Sequence, residues 1–195
     1  MKPIITLSLC LLTAGCIYRV KEIDPNKNLQ YTEEYGHTDQ KKAVEHFSKS
    51  LAKTDALSAD AKPVIVIYPI SNRTLDHIDT KGFTDKLEAS LLEGKRVRLI
   101  NQNRSAVNTE TSPQITAKVD PAMRVQEAKR LGANFILTGR FTSIDRKEPK
   151  GIRLRKGRLL YYQLTLELTR IETNELVWKD NVELLREGRK PIIGW

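Results

Sequence analysis

The side chains that could do chemistry in this sequence do not assemble a catalytic set. There is no Gly-x-Ser-x-Gly elbow, no phosphate-cradling glycine-rich loop and no Cys–His pair. The three histidines, His37, His46 and His77, share no metal-ligand spacing with one another or with Cys10 and Cys16, which excludes a structural zinc site. Asp76, His77 and Asp79 cluster, but without a second histidine or a metal motif they read as helix capping and a solvated loop. What remains is binding chemistry, and two segments carry it.

The first is Asn72-Arg73-Thr74. It lies just past the C-terminal end of a buried strand, where ligands often bind in α/β sheets. The same residue types also make turns and pair with neighbouring carboxylates. The second runs from Arg146 to Arg158 and holds seven Arg or Lys (Arg146, Lys147, Lys150, Arg153, Arg155, Lys156, Arg158) against one Glu. It joins two strands, so it should protrude. It is either a solvated loop or an anionic contact with Ile152 and Leu154 adding apolar grip, and a contact is favoured here over any other part of the chain. No cofactor is expected.

The start of the chain is an address. Lys2 is followed by the short apolar run Ile4–Leu12 and then Thr13-Ala14-Gly15-Cys16. The run is too short to span a bilayer, and small residues before a cut site mark a removable signal. Ala-Gly-Cys resembles a bacterial lipobox, although Thr13 stands where Leu, Val or Ile is usual. The resemblance implies a mature chain that starts at a lipidated Cys16. Ile17 in place of the Asp that retains lipoproteins in the inner membrane implies the outer membrane, facing the periplasm. Several acyl chains make a stable anchor.

Of the 195 residues, about 180 remain after cleavage, which suits one domain and a tether. Cysteine occurs only at positions 10 and 16, so no internal disulfide is available and the core must hold the fold alone. The formal charge of +9 could suit nucleic acid, but export argues against it. The anionic partners in an envelope are lipid heads, wall polymer and acidic protein faces.

Three spans follow: 1–15 as signal peptide, 16–38 as lipidated end and irregular tether, 39–195 as the domain. The tether from Cys16 to Asp39 spans roughly 75 Å if fully extended and about 25–30 Å as a flexible coil. In the domain, Asp39 is placed to cap a helix whose inner face is Ala43, Val44, Phe47 and Leu51. Val64–Tyr68 is a continuous β-branched run that argues for a strand covered on both faces. Asp79 or Thr80 caps a second helix, with Phe83, Leu87 and Leu91 inward and Gly94 at its end. Arg96–Ile100 is a strand, 101–119 a loop with a ragged helical turn, and Asp120-Pro121 a helix start whose inner face holds Met123 or Ala122, Val125, Ala128 and Leu131. Asn134–Ile144 is a strand interrupted by Gly139. Arg158–Thr169 and Leu176–Leu185 form a long hairpin around Glu172-Thr173-Asn174-Glu175. The apolar end Ile192-Ile193-Gly194-Trp195 is expected to dock on the domain, with partner binding as the alternative. The sum is an α/β (α+β) domain: one mixed sheet of about four to five strands flanked by about three to four helices, ending in a long antiparallel hairpin.

With these elements placed, the domain resembles the penicillin-binding-protein activator LpoB family. The resemblance rests on Pro63–Thr74, on Gly132-Ala133-Asn134-Phe135-Ile136-Leu137, and on Tyr162-Gln163-Leu164 through Glu172-Thr173-Asn174-Glu175-Leu176-Val177-Trp178, and covers roughly residues 35–190. It implies a non-enzymatic outer-membrane lipoprotein that binds and stimulates a class A penicillin-binding protein. The fold is also similar to those of the curli secretion lipoprotein CsgG and the TolB amino-terminal domain. That leaves a structural or secretion-assembly accessory as the alternative function. The long Pro-rich tether of the best-known activators is absent from residues 16–38, and the basic run 146–158 rests on charge alone.

Overall fold

The computed structural model describes residues 23–24, 27, 32–57, 62–100, 121–147 and 155–191, with side chains for all but 121, 155, 156, 190 and 191. In chain order the elements are α1 (His37–Ala52), a 3-10 turn (Asp55–Leu57), β1 (Val64–Ile67), β2 (Ser71–Arg73), α2 (Thr80–Glu93), β3 (Arg98–Ile100), α3 (Pro121–Arg130), β4 (Phe135–Lys147), β5 (Arg155–Arg170) and β6 (Leu176–Pro191). The strands form one open mixed sheet in the order β3-β1-β4-β5-β6, with β2 also on β4. β3, β1 and β4 run parallel, as the intervening helices require, and β4, β5 and β6 run antiparallel.

The described residues hold six strands, one more than the upper expectation. The addition is β2, which the sequence suggested was a turn. β1 pairs Ile65–Ile67 with Phe135–Leu137, and β2 pairs Ser71–Arg73 with Arg140–Thr142 further along the same strand. Tyr68 still donates its N–H to the Leu137 carbonyl at 2.9 Å. Pro69 then has no N–H to give, so the chain leaves the ladder and rejoins it two residues later.

The periodicities are realised in the packing. Ala43, Val44, Phe47 and Leu51 of α1 and Phe83, Leu87 and Leu91 of α2 pack on Ile65, Ile67, Leu137, Phe141 and the inward row Leu160, Tyr162, Leu164, Leu166 and Leu168 of β5. Val66, Tyr68 and Ile136 point the other way and meet Ala128 of α3, with Val125 and Leu131 beside it, whereas Ala122 and Met123, expected on that inner face, are exposed in the first turn of the helix. The continuous apolar run of β1 is therefore buried on both faces.

Several boundaries differ from the sequence reading. α1 starts at His37 with Gly36 as its cap, and Asp39 acts from the third helical position by accepting the Gly36 N–H at 2.9 Å. Asp79 caps α2 and accepts from the Gly82 N–H at 2.8 Å. Gly94 does end that helix but stays right-handed, and the positive φ of 53° falls on Lys95. Gly132, by contrast, takes φ 74° after α3, the left-handed conformation in which a glycine ends a helix. Gly139 does not interrupt β4: a Cβ there would lie 2.5 Å from Leu166 Cδ2 and 3.2 Å from the Thr165 carbonyl, so glycine lets the neighbouring side chains close over the strand. The hairpin is longer than expected, with fifteen registered pairs from Arg155↔Pro191 to Thr169↔Leu176 and a bulge at Leu168/Thr169.

Packing also begins before Asp39. Tyr35 sits edge-on to Phe141 with ring centroids 4.8 Å apart and tilts over Tyr162 at 6.0 Å, while Glu33 is buried. The last part of the stretch read as tether thus belongs to the domain. Residues 1–22 with Cys16, the 101–119 loop and the apolar end Ile192–Trp195 lie outside the described residues.

Candidate functional site

Asn72 and Thr74 form a self-satisfied turn. Asn72 Oδ1 accepts from the Thr74 N–H at 2.9 Å and from its hydroxyl at 2.8 Å, and Asn72 Nδ2 donates to the Asp76 carbonyl at 3.0 Å. The turn aims Asp76 inward, where its Oδ2 accepts the hydroxyl of buried Tyr162 at 2.5 Å. Burial first, and this carboxylate second, hold the Tyr162 phenol above the usual tyrosine range. His77 is exposed, so the Asp76-His77-Asp79 cluster resolves into a tyrosine anchor and a helix cap. Arg73 stays on the surface, its Nε donating to Ser71 Oγ at 3.1 Å.

The basic run is divided by the sheet. Arg146 and Lys147 are exposed at the end of β4. Arg155 and Lys156 open β5 rather than extend the loop, and Lys150 and Arg153 lie outside the described residues. Arg158 is not a free loop cation. It lies on the helix-bearing face and donates to Asp145 from Nε and Nη2 at 3.1 Å each. Its Nη1 lies 3.3 Å from Glu33 and 3.5 Å from Glu34. The Arg158 hydrogen bonds hold the Asp145 carboxyl below its ordinary value. Arg186 completes this clasp by donating to the Glu34 carbonyl at 2.9 Å and to Asp39 Oδ1 at 2.5 Å. Two hairpin arginines therefore hold the point where the chain enters the domain.

Among the described residues, the opposite face of the β4–β5–β6 ribbon carries no helix beyond the part that α3 covers. Three rows cross it: Thr142–Gln163–Glu183, Ile144–Tyr161–Leu185 and Arg146–Leu159–Glu187. Arg73 of β2 extends the first row beside Thr142. Ile144, Leu159 and Leu185 are 52%, 40% and 63% exposed, so the middle of this face is apolar and open. Glu183 ties the rows together, accepting from Gln163 Nε2 at 3.3 Å and Asn181 Nδ2 at 2.8 Å. Desolvation, then the Glu183 charge and hydrogen bond, raise the Tyr161 phenol. Sequence reasoning did not single out this face.

At the end of the sheet where β1, β3 and β4 begin, a cleft of about 610 Å³ places Lys62, Arg98, Lys129 and Arg170 around a floor of Pro63, Ala133, Phe135 and Ile171. Among the described residues no group of His, Cys, Asp and Glu is placed to hold a metal ion. The chemistry on offer is that of surfaces: the exposed Arg146 and Lys147 at the end of β4, a basic cleft and an apolar sheet face.

The family model described as peptidoglycan-synthase activator LpoB matches residues 39–184. The chain belongs to this family. The match bears out the resemblance drawn from the sequence and spans the LpoB-family domain from α1 into β6. Among solved structures, the LpoB C-terminal domain of Salmonella enterica is similar at 16% identity and TM-score 0.54, covering 75% of this chain and 98% of that one. The LpoB C-terminal domain of Escherichia coli is similar at 16% identity and TM-score 0.52, covering 72% and 93%. At that identity the likeness carries the fold. Lipoprotein GNA1162 of Neisseria meningitidis aligns at 13% identity and TM-score 0.43 over 64% and 83%. No curated protein matches the chain.

Proposed function

We propose that this chain is a lipid-anchored envelope protein that binds a class A penicillin-binding protein and raises its peptidoglycan-synthesising activity. The observation that carries the reading is the family match over residues 39–184, to a family named for activating a peptidoglycan synthase. Such a protein works by contact: it shifts the enzyme toward an active form by binding that form more tightly. The site residues proposed for the contact are the exposed Asn72, Arg73, Arg146 and Lys147, with Thr74 and with Lys150, Arg153, Arg155 and Lys156 of the basic run that joins β4 to β5.

The lipobox-like Ala14-Gly15-Cys16 supports an anchor on Cys16, and Ile17 supports the outer membrane as its site. Because packing begins near Glu33, the chain from Cys16 to the domain reaches at most roughly 55 Å when fully extended. An inner-membrane synthase must come within that reach, plus the depth of the domain, for contact.

The test mixes the full chain carrying Cys16→Ser with a purified class A penicillin-binding protein and follows glycan polymerisation. Retention of the enzyme on the immobilised chain together with a severalfold faster rate is the expected result. No retention and no change in rate overturns the reading. The anchor is tested separately by labelled palmitate in cells, with label expected on the wild type and lost in Cys16→Ala.

A further inference from the structure

We propose that the basic cleft where β1, β3 and β4 begin binds the diphosphate group of an organic ester, with the organic part on its apolar floor. Lys62, Arg98, Lys129 and Arg170 line it against one carboxylate, Glu172, a surplus of three positive charges. Lys62, Arg98 and Lys129 make no ion pair to any described residue, and Arg170 has only Glu175, 4.0 Å away. The hairpin arginines Arg158 and Arg186, by contrast, are spent on carboxylates. Like charges round one concave rim repel, and low-dielectric walls strengthen the repulsion. An anion seated among them removes that cost. Lys129 also lies in the last turn of α3, where a cation complements the helix end. Lys62 precedes β1, Arg98 opens β3 and Arg170 ends β5, so none of these three lies in a helix.

The donors are held ready. Arg98 gives its Nε to the Lys62 carbonyl at 3.2 Å, which fixes the guanidinium and leaves its two terminal nitrogens without a described partner. The Arg170 guanidinium lies over the Phe135 ring, 5.8 Å from its centroid, and is thereby seated on the floor. Asn134 lines the cleft as well. Its Oδ1 accepts the Val64 N–H at 2.8 Å, which settles the amide orientation and leaves Nδ2 as a donor with no described partner. None of these contacts uses the groups an anion needs, so binding costs little ordering. The backbone here is spent on the sheet: the Asn134 N–H on the Val64 carbonyl, the Arg98 N–H on the Pro63 carbonyl and the Ile171 N–H on the Asn134 carbonyl. Recognition therefore rests on side chains, two guanidinium forks, two ammonium groups and one amide.

Charge and room choose the ligand. A carboxylate carries a single charge, and one arginine fork saturates it. A phosphate monoester carries about −1.5 to −2 at pH 7, and a diphosphate carries more, on more oxygens, which matches the surplus and the number of donors. The volume of about 610 Å³ is that of a small-molecule site and exceeds what the anion fills, so Pro63, Ala133, Phe135 and Ile171 remain for an apolar or ring part. The chain entry does not cover the cleft. β4 runs from Phe135, at the cleft, to Lys147, paired with Arg158 of the entry clasp, roughly 40 Å away at about 3.3 Å per residue. This inference is independent of the synthase-binding reading.

Isothermal titration calorimetry of the full chain carrying Cys16→Ser tests the site with inorganic pyrophosphate, isopentenyl diphosphate and acetate. One saturable pyrophosphate site per chain is expected, with a dissociation constant on the order of 100 μM at low salt. Isopentenyl diphosphate should bind at least about threefold more tightly, because its tail covers the floor. Lys62→Ser with Lys129→Ser should weaken pyrophosphate at least about tenfold. Arg98→Lys should weaken it about threefold or more, since it keeps the charge and loses the fork. Lys49→Ser with Lys81→Ser removes the same charge from exposed helical pairs and should change the affinity less than about twofold. Urea midpoints check that the variants fold. Phosphatidylcholine vesicles doped with diacylglycerol pyrophosphate separate the sources of the group. Vesicle capture that Lys62→Ser with Lys129→Ser abolishes supports a lipid headgroup as the ligand, and ester binding without capture supports a free ester. No saturable binding of either soluble diphosphate overturns the proposal. So does acetate binding as tightly as pyrophosphate, or a loss from Lys49→Ser with Lys81→Ser as large as that from the cleft pair.

Discussion

Arg158 grips Asp145 with both ends of its guanidinium fork, Nε to Oδ1 and Nη2 to Oδ2 at 3.1 Å each, across β4 and β5. The geometry is bidentate, which a lysine could not reproduce. It turns one cation of a run that looks solvated into part of the fold, because the strand pleat points Arg158 to the helix-bearing face, where Glu33 and Asp145 wait.

The pair gives the fold an acid dependence. Asp145 is held below its ordinary value of 3.8 by the Arg158 hydrogen bonds, so ionised Asp145 is favoured in the folded chain. Its contribution is present above the unfolded value and is lost as pH falls through the lowered one. Urea midpoints from about pH 6 to about pH 3 should therefore fall less steeply in Asp145→Asn than in the wild type, from a lower starting point. Equal slopes would remove Asp145 from the acid response.

Much of this was legible in the sequence, and the exceptions have physical causes. Amphipathic spacing located α1, α2 and α3 because burial dominates those helices. The β-branched run of β1 announced a doubly covered strand. β2 was hidden because three polar residues carry no apolar pattern, and only the partner β4 makes them a strand. The open face was hidden in plain doublets. Leu159-Leu160, Tyr161-Tyr162 and Leu184-Leu185 each put two apolar residues in sequence, and successive strand residues face opposite ways, so one of each pair must leave the core. Leu160 and Tyr162 are buried, and Leu159 and Leu185 are the exposed halves. The clasp of Arg158 and Arg186 on Glu33, Glu34 and Asp39 could not be read at all, since the contacts join residues more than a hundred positions apart.

Three buried phenols set an alkaline limit. Tyr68 donates to the Arg124 carbonyl at 2.9 Å, and burial pushes it up to about 12. Burial raises Tyr35 and Tyr162 further above their ordinary 10.0. A raised folded-state value means stability that is full below the unfolded value and lost as pH climbs through the folded one. Unfolding followed by tyrosinate absorbance should be cooperative and begin above about pH 10 rather than titrate site by site. Tyr162→Phe should lower neutral-pH stability by about 1–2 kcal/mol, through the lost hydrogen bond to Asp76, and make the alkaline limb shallower. An unchanged limb would exclude Tyr162.

Gly139 is a packing requirement rather than a break. A Cβ at this position meets Leu166 Cδ2 at 2.5 Å, Ile70 Cγ1 at 3.1 Å and the Thr165 carbonyl at 3.2 Å. The leucine can rotate, but the carbonyl belongs to the β4–β5 ladder and cannot. Gly139→Ala should destabilise by about 1–3 kcal/mol, the usual effect of overpacking, and Gly139→Val by more. A gain in stability from the alanine variant would show that the ladder has room to spare.

The clasp fixes where the domain begins. A chain starting at Thr38 loses Tyr35 from its seat on Phe141 and Tyr162 and leaves Arg158 without Glu33 and Glu34. Compared with a chain starting at Ile23, it should be less stable by about 2 kcal/mol or more, the order expected for exposing one large side chain. If the two unfold at the same urea concentration, the segment is a passive leader.

The hairpin tip separates contact from fold. Arg146 is exposed and makes no ion pair to a described residue, whereas Arg158 is tied to three carboxylates. Replacing Arg153, Arg155 and Lys156 together by serine removes three of the seven positive charges of the run. Stability should stay within about 0.5 kcal/mol of wild type, the usual range for surface changes. Synthase retention should drop, and the drop should shrink as salt rises, because exposed charge contacts are screened within about 10 Å at 0.1 M. Arg158→Ser is the internal contrast: it should lower the urea midpoint, through the loss of its pairs with Asp145 and Glu33. If the triple variant binds as well as wild type at low salt, the tip is a solvated loop and the contact lies on Arg73 and the rows beside it.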